Sequence, residues 1–298
     1  MDFLNPSHRR TAAHNRSRKS GFGVSPGLLF YVMAGLCVVM GATVPTSALA
    51  EVSGNLIVAG NGPEQTTIEA LARAFEKANP RAYIDVVWDD HSKPVEMVKG
   101  GDAHLAVTGA EDSSLAATQI AWDGIGILVH LSNFTKEVTR QQVADIFSGK
   151  VREWSDLGGP ETKILLIDRP KNQNIRDAFE HQLGIDGKIP TNAKVIAKDD
   201  KVIKTVVGTL PPLSAVAYIS LSQGLAVVTS GVAVRLLPVD KVEPEVPTVK
   251  DGRYPLRRPV LLLAKKDPNP LVEAFAQFAL SPAGKQIITE TYIPFEKK

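Results

Sequence analysis

The chain has 298 residues and a single cysteine, Cys37. That residue lies in an apolar N-terminal leader, so the body of the chain has no disulfide, no thiolate metal site and no cysteine nucleophile. A basic surplus is missing as well. Lys and Arg total 34 against 32 Asp and Glu, and five of the basic residues (Arg9, Arg10, Arg16, Arg18, Lys19) lie in the first 50 positions beside one acid, Asp2. Without those, 29 basic and 31 acidic residues remain. A near-neutral body has no basic face to displace counterions, which excludes nucleic acid as a partner. Catalytic signatures are also absent. There is no G-x-S-x-G elbow, no H-E-x-x-H and no Walker loop, and Gly60-x-Gly62 is followed by Gln65 where a dinucleotide fingerprint requires glycine. The histidines after the leader (His91, His104, His130, His181) show no ligand spacing, so neither a metal nor a cofactor is expected. An enzyme is therefore not expected.

What is present is an ordinary globular composition, 44% hydrophobic and 22% charged, which excludes disorder. Residues 27–44 carry no charge and follow the basic cluster; Pro45 breaks the run, and Ala48 and Ala50 occupy the small-residue positions of a cleavage site. The leader reads as a secretory signal cut after Ala50, placing the mature protein in the periplasm or outside the cell. The alternative is an uncleaved anchor, because the apolar run nearly spans a bilayer.

From Asn55 onward, short apolar runs alternate with helical patterns. Residues 56–59, 83–88 and 103–108 read as strands, with helices over 66–78 and 93–99 between them, the signature of parallel strands with crossover helices. Residues 124–130 form a fourth apolar run. A second unit opens at Thr139, with Val143, Ile146 and Phe147 on one helical face, then a strand at 164–167, helices near 174–183 and 200–208, and strands at 215–220 and 226–228. Residues 238–255, rich in proline and charge, read as a surface excursion. A strand at 259–264 and helices over 269–280 and 282–290 close the chain. The fold class is α/β with two lobes, each a mostly parallel sheet flanked by helices. The expected division is residues 1–50 as signal peptide, 51–130 plus 255–298 as lobe 1, and 131–254 as lobe 2.

Several motifs appear in a fixed order. Asp145-Ile146-Phe147-Ser148-Gly149-Lys150 runs to Trp154 and Gly158-Gly159. Arg169 leads to Arg176-Asp177-Ala178-Phe179, followed by Ala217-Tyr218-Ile219, then Gly252-Arg253-Tyr254-Pro255-Leu256-Arg257-Arg258-Pro259, and last Phe278-Ala279-Leu280-Ser281-Pro282-Ala283-Gly284. This series resembles the phosphate-binding periplasmic proteins of ABC transporters, over about residues 54–296. Most of these motifs are structural: Trp154 reads as a packed anchor, Tyr254-Pro255-Leu256 as the return between lobes, and Ser281-Pro282 as a helix start.

The resemblance implies an oxyanion held by backbone amides at helix N-termini, hydroxyls and an arginine. It assigns the opening turn, with Asn61, Gly62, Thr66 and Thr67; the loop with Asp90, His91 and Ser92; Thr108; and the start of a lobe-2 helix, with Gln173, Asn174 and Arg176. The chain departs from the family at each place. Pro63 lacks an N–H and Glu64 repels an anion. His104 replaces an aspartate, Gly109-Ala110 replaces a serine-arginine pair, and Ile175 removes a hydroxyl. His104 reads either as a donor or as a structural residue, and Arg176 either as a ligand or as a salt-bridge partner. The expected function is an exported solute-binding protein of an ABC transporter. It would capture a small ligand, phosphate or another oxyanion, as a monomer that docks on a membrane permease. The alternative is an envelope sensor or adaptor that uses the same fold to bind a protein.

Overall fold

The computed structural model describes residues 52–210 and 214–296; the leader and its cleavage site lie outside them. The first unit runs β1 (Gly54–Gly60), α1 (Gln65–Ala78), β2 (Ala82–Trp88), α2 (Pro94–Gly100), β3 (Leu105–Thr108) and a long β4 (Ala116–His130). The second continues with α3 (Arg140–Phe147), a 3₁₀ turn (Trp154–Leu157), β5 (Leu165–Asp168), α4 (Asn174–Leu183), β6 (Lys194–Val195), α5 (Asp199–Gly208), β7 (Ala215–Ser220), α6 (Leu221–Thr229), β8 (Val234–Leu237) and α7 (Val246–Lys250). The chain then returns through β9 (Arg257–Ala264), α8 (Pro270–Leu280), α9 (Pro282–Thr289) and β10 (Ile293–Pro294).

The strands follow the order β2-β1-β3-β9-β4-β7-β5-β6. The outer pairings β1–β2, β1–β3, β5–β7 and β5–β6 are parallel, as right-handed helical crossovers require. The pairings of β4 with β7 and β8 are antiparallel, as are those of β9 with β3 and β4, where β9 re-enters the first lobe from the second. Strand β4 serves both lobes. Its residues 116–124 pair with β9 and residues 125–129 with β7, so the chain passes between lobes near Gly124 and Ile125. Tyr254 marks the return crossing by donating its hydroxyl to the Ile125 carbonyl at 3.0 Å.

Each lobe has its own apolar core. Leu56, Ile68, Leu71, Phe75, Ile84 and Phe275 gather in the first, and Phe147, Trp154, Phe179, Tyr218 and Leu237 in the second. Phe179 stacks on Tyr218 at 4.0 Å, and Phe147 meets both rings edge-on. Trp154 is fully buried, edge-on to Phe134, and donates its indole N–H to the Ser214 carbonyl. Helix starts follow local chemistry: Thr139 forms a capping box with Gln142, and Ser281 accepts from the Gly284 amide ahead of Pro282.

Three readings of the sequence change. Residues 226–228, with their β-branched valines, belong to helix α6, because Gly224 lets that helix lie against Leu236 of β8. The polar interval before residue 124 is the first half of β4, kinked by a register shift between Gln119 and Ala121. The excursion at 238–255 carries α7, with Thr248 and Val249 buried.

Trp154→Ala removes the largest buried side chain of the second lobe and should cost about 3–5 kcal/mol, read as a fall in urea midpoint by tryptophan-independent circular dichroism.

Candidate functional site

In parallel α/β units the loops that leave the carboxyl ends of strands carry the ligand contacts. Here the β1–α1 turn (Asn61 to Glu64) and the β5–α4 loop (Arg169 to Gln173) face each other across the seam between lobes. Gly62 is required at this approach, since a Cβ there would lie 2.2 Å from the Asn174 side-chain oxygen. The Asn61 side chain donates to the carbonyls of Ser92 and Asn172, and its oxygen accepts the Asn174 amide. Asn172 Nδ2 donates to the carbonyls of Asp90 and Ser92, both at 2.9 Å, and Gln173 Nε2 to Asp90 Oδ1. Ser92 donates its hydroxyl to Gly60. The lobes are thus joined by side-chain amides.

On one side of this bridge lies a cavity of about 350 Å³ lined by Gly62, Thr66, Trp88, Asp90, Arg169 and Gln173, among others. On the other, one of about 220 Å³ is bordered by Asn61, Thr108, Asn172 and Asn174. Of the residues expected from sequence, Asn61, Gly62, Thr66, Asp90, Ser92, Thr108, Gln173 and Asn174 therefore meet at the seam. Thr67 is buried in the first turn of α1 and borders neither cavity. His91 is exposed, and only its backbone amide is engaged, by Asp89.

Arg176 is placed elsewhere. Asn174 faces the seam, and two residues on, at 100° per residue, a helix presents the opposite side. There Arg176 pairs with Asp168 at 3.1 Å and Glu180 at 3.0 Å inside the second lobe, which is the salt-bridge reading. His104 is structural: its Nδ1 accepts the Ile57 amide, and its own amide donates to the Ile57 carbonyl. Arg169 is tied to Asp199 and to the carbonyls of Ala197 and Tyr218.

Arg169 lines the larger cavity, and a second arginine, Arg258 on β9, lies fully buried behind the seam and borders neither cavity. Its Nη2 lies 2.6 Å from Glu64 Oε1 and 2.9 Å from Asp123 Oδ2, and its Nη1 donates to Asn174 Oδ1 at 3.3 Å. Asp123 stands directly opposite it in the β4–β9 register and also accepts from Ser220 at 3.1 Å. Asn174 Nδ2 donates to Glu64 Oε2 at 3.1 Å. Two buried carboxylates thus share one guanidinium. Burial pushes the Asp123 carboxyl up to about 6, Arg258 opposes that rise, and Glu64 adds to it. Burial works against the charge on Arg258, but Glu64 and Asp123 outweigh it and hold the group protonated. Sequence reading classed Arg258 as part of a structural motif and passed over Asp123 and Asn172. The signal that could have found the cluster was Glu64, an acid at a helix start where an anion site needs donors. Among the described residues no group of three or more His, Cys, Asp or Glu is placed to hold a metal.

A family model described as a PBP superfamily domain matches residues 45–283. The chain belongs to this superfamily. Among curated relatives, it is 27% identical over 253 residues to the phosphate-binding protein PstS of Bacillus subtilis, covering 81% of each chain. It superposes with a TM-score of 0.71 and 24% identity on a putative phosphate ABC transporter substrate-binding protein with bound phosphate from Clostridium perfringens, covering 82% of this chain and all of that one. An ABC-type phosphate transport receptor from Vibrio cholerae gives 0.70 and 23%, over 80% and 99%. The two solved structures establish the shared two-lobed fold.

The raised Asp123 carboxyl has a definite sign. A group whose folded value lies above its unfolded one contributes stability that is complete below about pH 4 and lost as pH rises through about 6, here about 3 kcal/mol for a rise of about two pH units. Asp123→Asn should flatten the stability profile between pH 4 and 7, measured by urea titrations across that range. An unchanged slope would show that Asp123 does not titrate there.

Proposed function

We propose that this superfamily member is an exported solute-binding protein of an ABC transporter that captures a small oxyanion between its lobes and delivers it to a membrane permease. The observation that carries this reading is the seam itself. Two strand-to-helix turns, one from each lobe, converge beside a buried arginine, and side-chain amides bridge the lobes between them. Polar seams of this kind open and reclose around a ligand, because water replaces each lost hydrogen bond. The names of the relatives support phosphate or a related anion as ligand class. The expected ligand-facing residues are Asn61, Gly62, Thr66, Asp90, Ser92, Thr108, Gln173 and Asn174, with Arg258 as the cation. Export rests on the leader pattern at residues 1–50; no helix among the described residues is long and apolar enough to cross a membrane.

A ligand that binds only the folded state must raise its stability, by about 2.7 kcal/mol at a hundredfold excess over Kd. A thermal melt of the exported protein against phosphate, sulfate and small neutral and cationic metabolites should show a shift of several degrees with at least one of them. A flat result across the whole panel would remove the solute-binding reading.

A further inference from the structure

Glu64 immediately precedes α1 and is completely buried, yet its side chain does not cap that helix. It turns instead toward the seam, where Arg258 Nη2 lies 2.6 Å from one carboxylate oxygen and Asn174 Nδ2 donates to the other at 3.1 Å. These partners come from β9 and from the first residue of α4, so the carboxylate sits among donors supplied by both lobes. The local charge count is the decisive point. Asp123 already neutralises Arg258, engaging its Nε at 3.2 Å and its Nη2 at 2.9 Å, so Glu64 is one negative charge in excess. A buried carboxylate beyond what the local cation requires is costly, and it persists only where the surrounding groups are arranged to hold an anion.

Two further observations bear on what that place accepts. The Tyr292 hydroxyl, on a residue only 5% exposed, has no hydrogen-bond partner among the described residues and lies in the field of Glu64, Asp123 and Arg258. The place beside Arg258 is filled while Glu64 occupies it: neither seam cavity is lined by Glu64 or Arg258, a Cβ on Gly62 would fall 2.4 Å from Glu64 Oε2, and one on Gly109 would fall 3.3 Å from Arg258 Nη1.

We propose that the Glu64 carboxylate is a tethered occupant of the oxyanion seat between the lobes, and that a free oxyanion binds at Arg258 only by displacing it. This rests on the proposed solute-binding reading and deepens it. The seat is built for a tetrahedral or planar oxyanion, Glu64 competes for it, and removing Glu64 converts a weak anion site into a stronger one. The inference makes Glu64 the residue that sets anion affinity, although it lies in the chain as an ordinary helix-start acid.

The test is calorimetric titration of inorganic phosphate, and separately of sulfate, into the exported protein and into Glu64→Ser and Glu64→Ala. Serine is a preferred residue ahead of a helix and adds a hydroxyl donor at the vacated place. Both variants should bind at least one of the two anions at least about tenfold more tightly than the parent, the scale of one regained hydrogen bond to a charged group. The gain should vanish in the double variant Glu64→Ser with Arg258→Met. Circular dichroism melts establish first that each protein is folded. If Ser and Ala do not fold, Glu64→Gln, which keeps the volume and drops the charge, must show the gain, reduced but above threefold. Anion affinity equal to or weaker than the parent in the folded variants overturns the inference. It would do so even if the parent binds another solute in a thermal melt, a result that leaves the solute-binding reading standing. A gain that survives loss of Arg258 also overturns it, because the anion would then lie elsewhere.

Discussion

The structure depends on one buried cation. Arg258 sits where five elements converge: its own strand β9, strand β4 through Asp123, strand β7 through the Ser220 hydroxyl on Asp123, the entry to α1 through Glu64, and the start of α4 through Asn174. Asp123 is its direct cross-strand partner, one residue before the point at which β4 leaves the first lobe for the second. An isolated guanidinium could not be tolerated there, since removing a charge from water costs several kcal/mol even after relaxation. Asp123, its direct cross-strand partner, is therefore a condition for the strand crossing to exist in this form.

That arrangement separates what is fixed from what can move. The cores of the two lobes are apolar and interdigitated, with Phe75 meeting Phe275 in one and Phe179 stacked on Tyr218 in the other, and packing of this kind does not slide. The seam contains Asn61, Asn172, Gln173 and Asn174, whose amides exchange protein partners for water at a net cost of about 0.5–1.5 kcal/mol each. Glu64, Asp123 and Arg258 are carried by the first lobe and by the shared strand β4. Among the described residues, the second lobe contributes hydrogen bonds to them through Asn174 and Ser220. Separation at the seam would thus leave the ion cluster assembled while admitting water to it, which is the behaviour a binding protein with a pre-formed receptor lobe requires.

Much of this was legible in the sequence, and the reasons are local. Alternation of apolar runs with helical spacing located β1, α1, β2 and α4, because each buries one face with its own period. The helix starts at Thr139 and Ser281 were readable because the residue that caps a helix N-terminus is adjacent to its first turn in the chain. The turn at Asn61-Gly62 and the approach of Gln173 and Asn174 were legible through the motif order. Arg258 and Arg176 exchange their expected places for a reason no linear pattern carries. Whether Arg176 or Arg258 lies at the seam depends on the rotation of α4 about its axis and on the register between β4 and β9, and both are settled by tertiary packing. Helix α6 was misread because Val227 and Val228 favour extended backbone locally, while the groove beside Leu236, opened by Gly224, favours a helix there.

A carboxylate and a phosphate ask the same thing of their surroundings: several N–H donors and a nearby cation. The donors at this seam therefore cannot by themselves distinguish a free oxyanion from the side chain of residue 64. What distinguishes them is concentration. A group held by even a short flexible tether has an effective concentration on the order of millimolar, and a single side chain from an ordered helix start is a tighter tether than any linker. A dissolved anion present at micromolar levels competes at a disadvantage of about three orders of magnitude unless it makes contacts that the glutamate cannot. A phosphate carries more acceptor oxygens and more charge than a carboxylate, and the Tyr292 hydroxyl, in the field of Glu64, Asp123 and Arg258, has no hydrogen-bond partner among the described residues. Affinity at this site is consequently a difference between two anions on one set of donors. This chain's own Arg258 and Asn174 supply the donors; residue 64 determines which anion they hold.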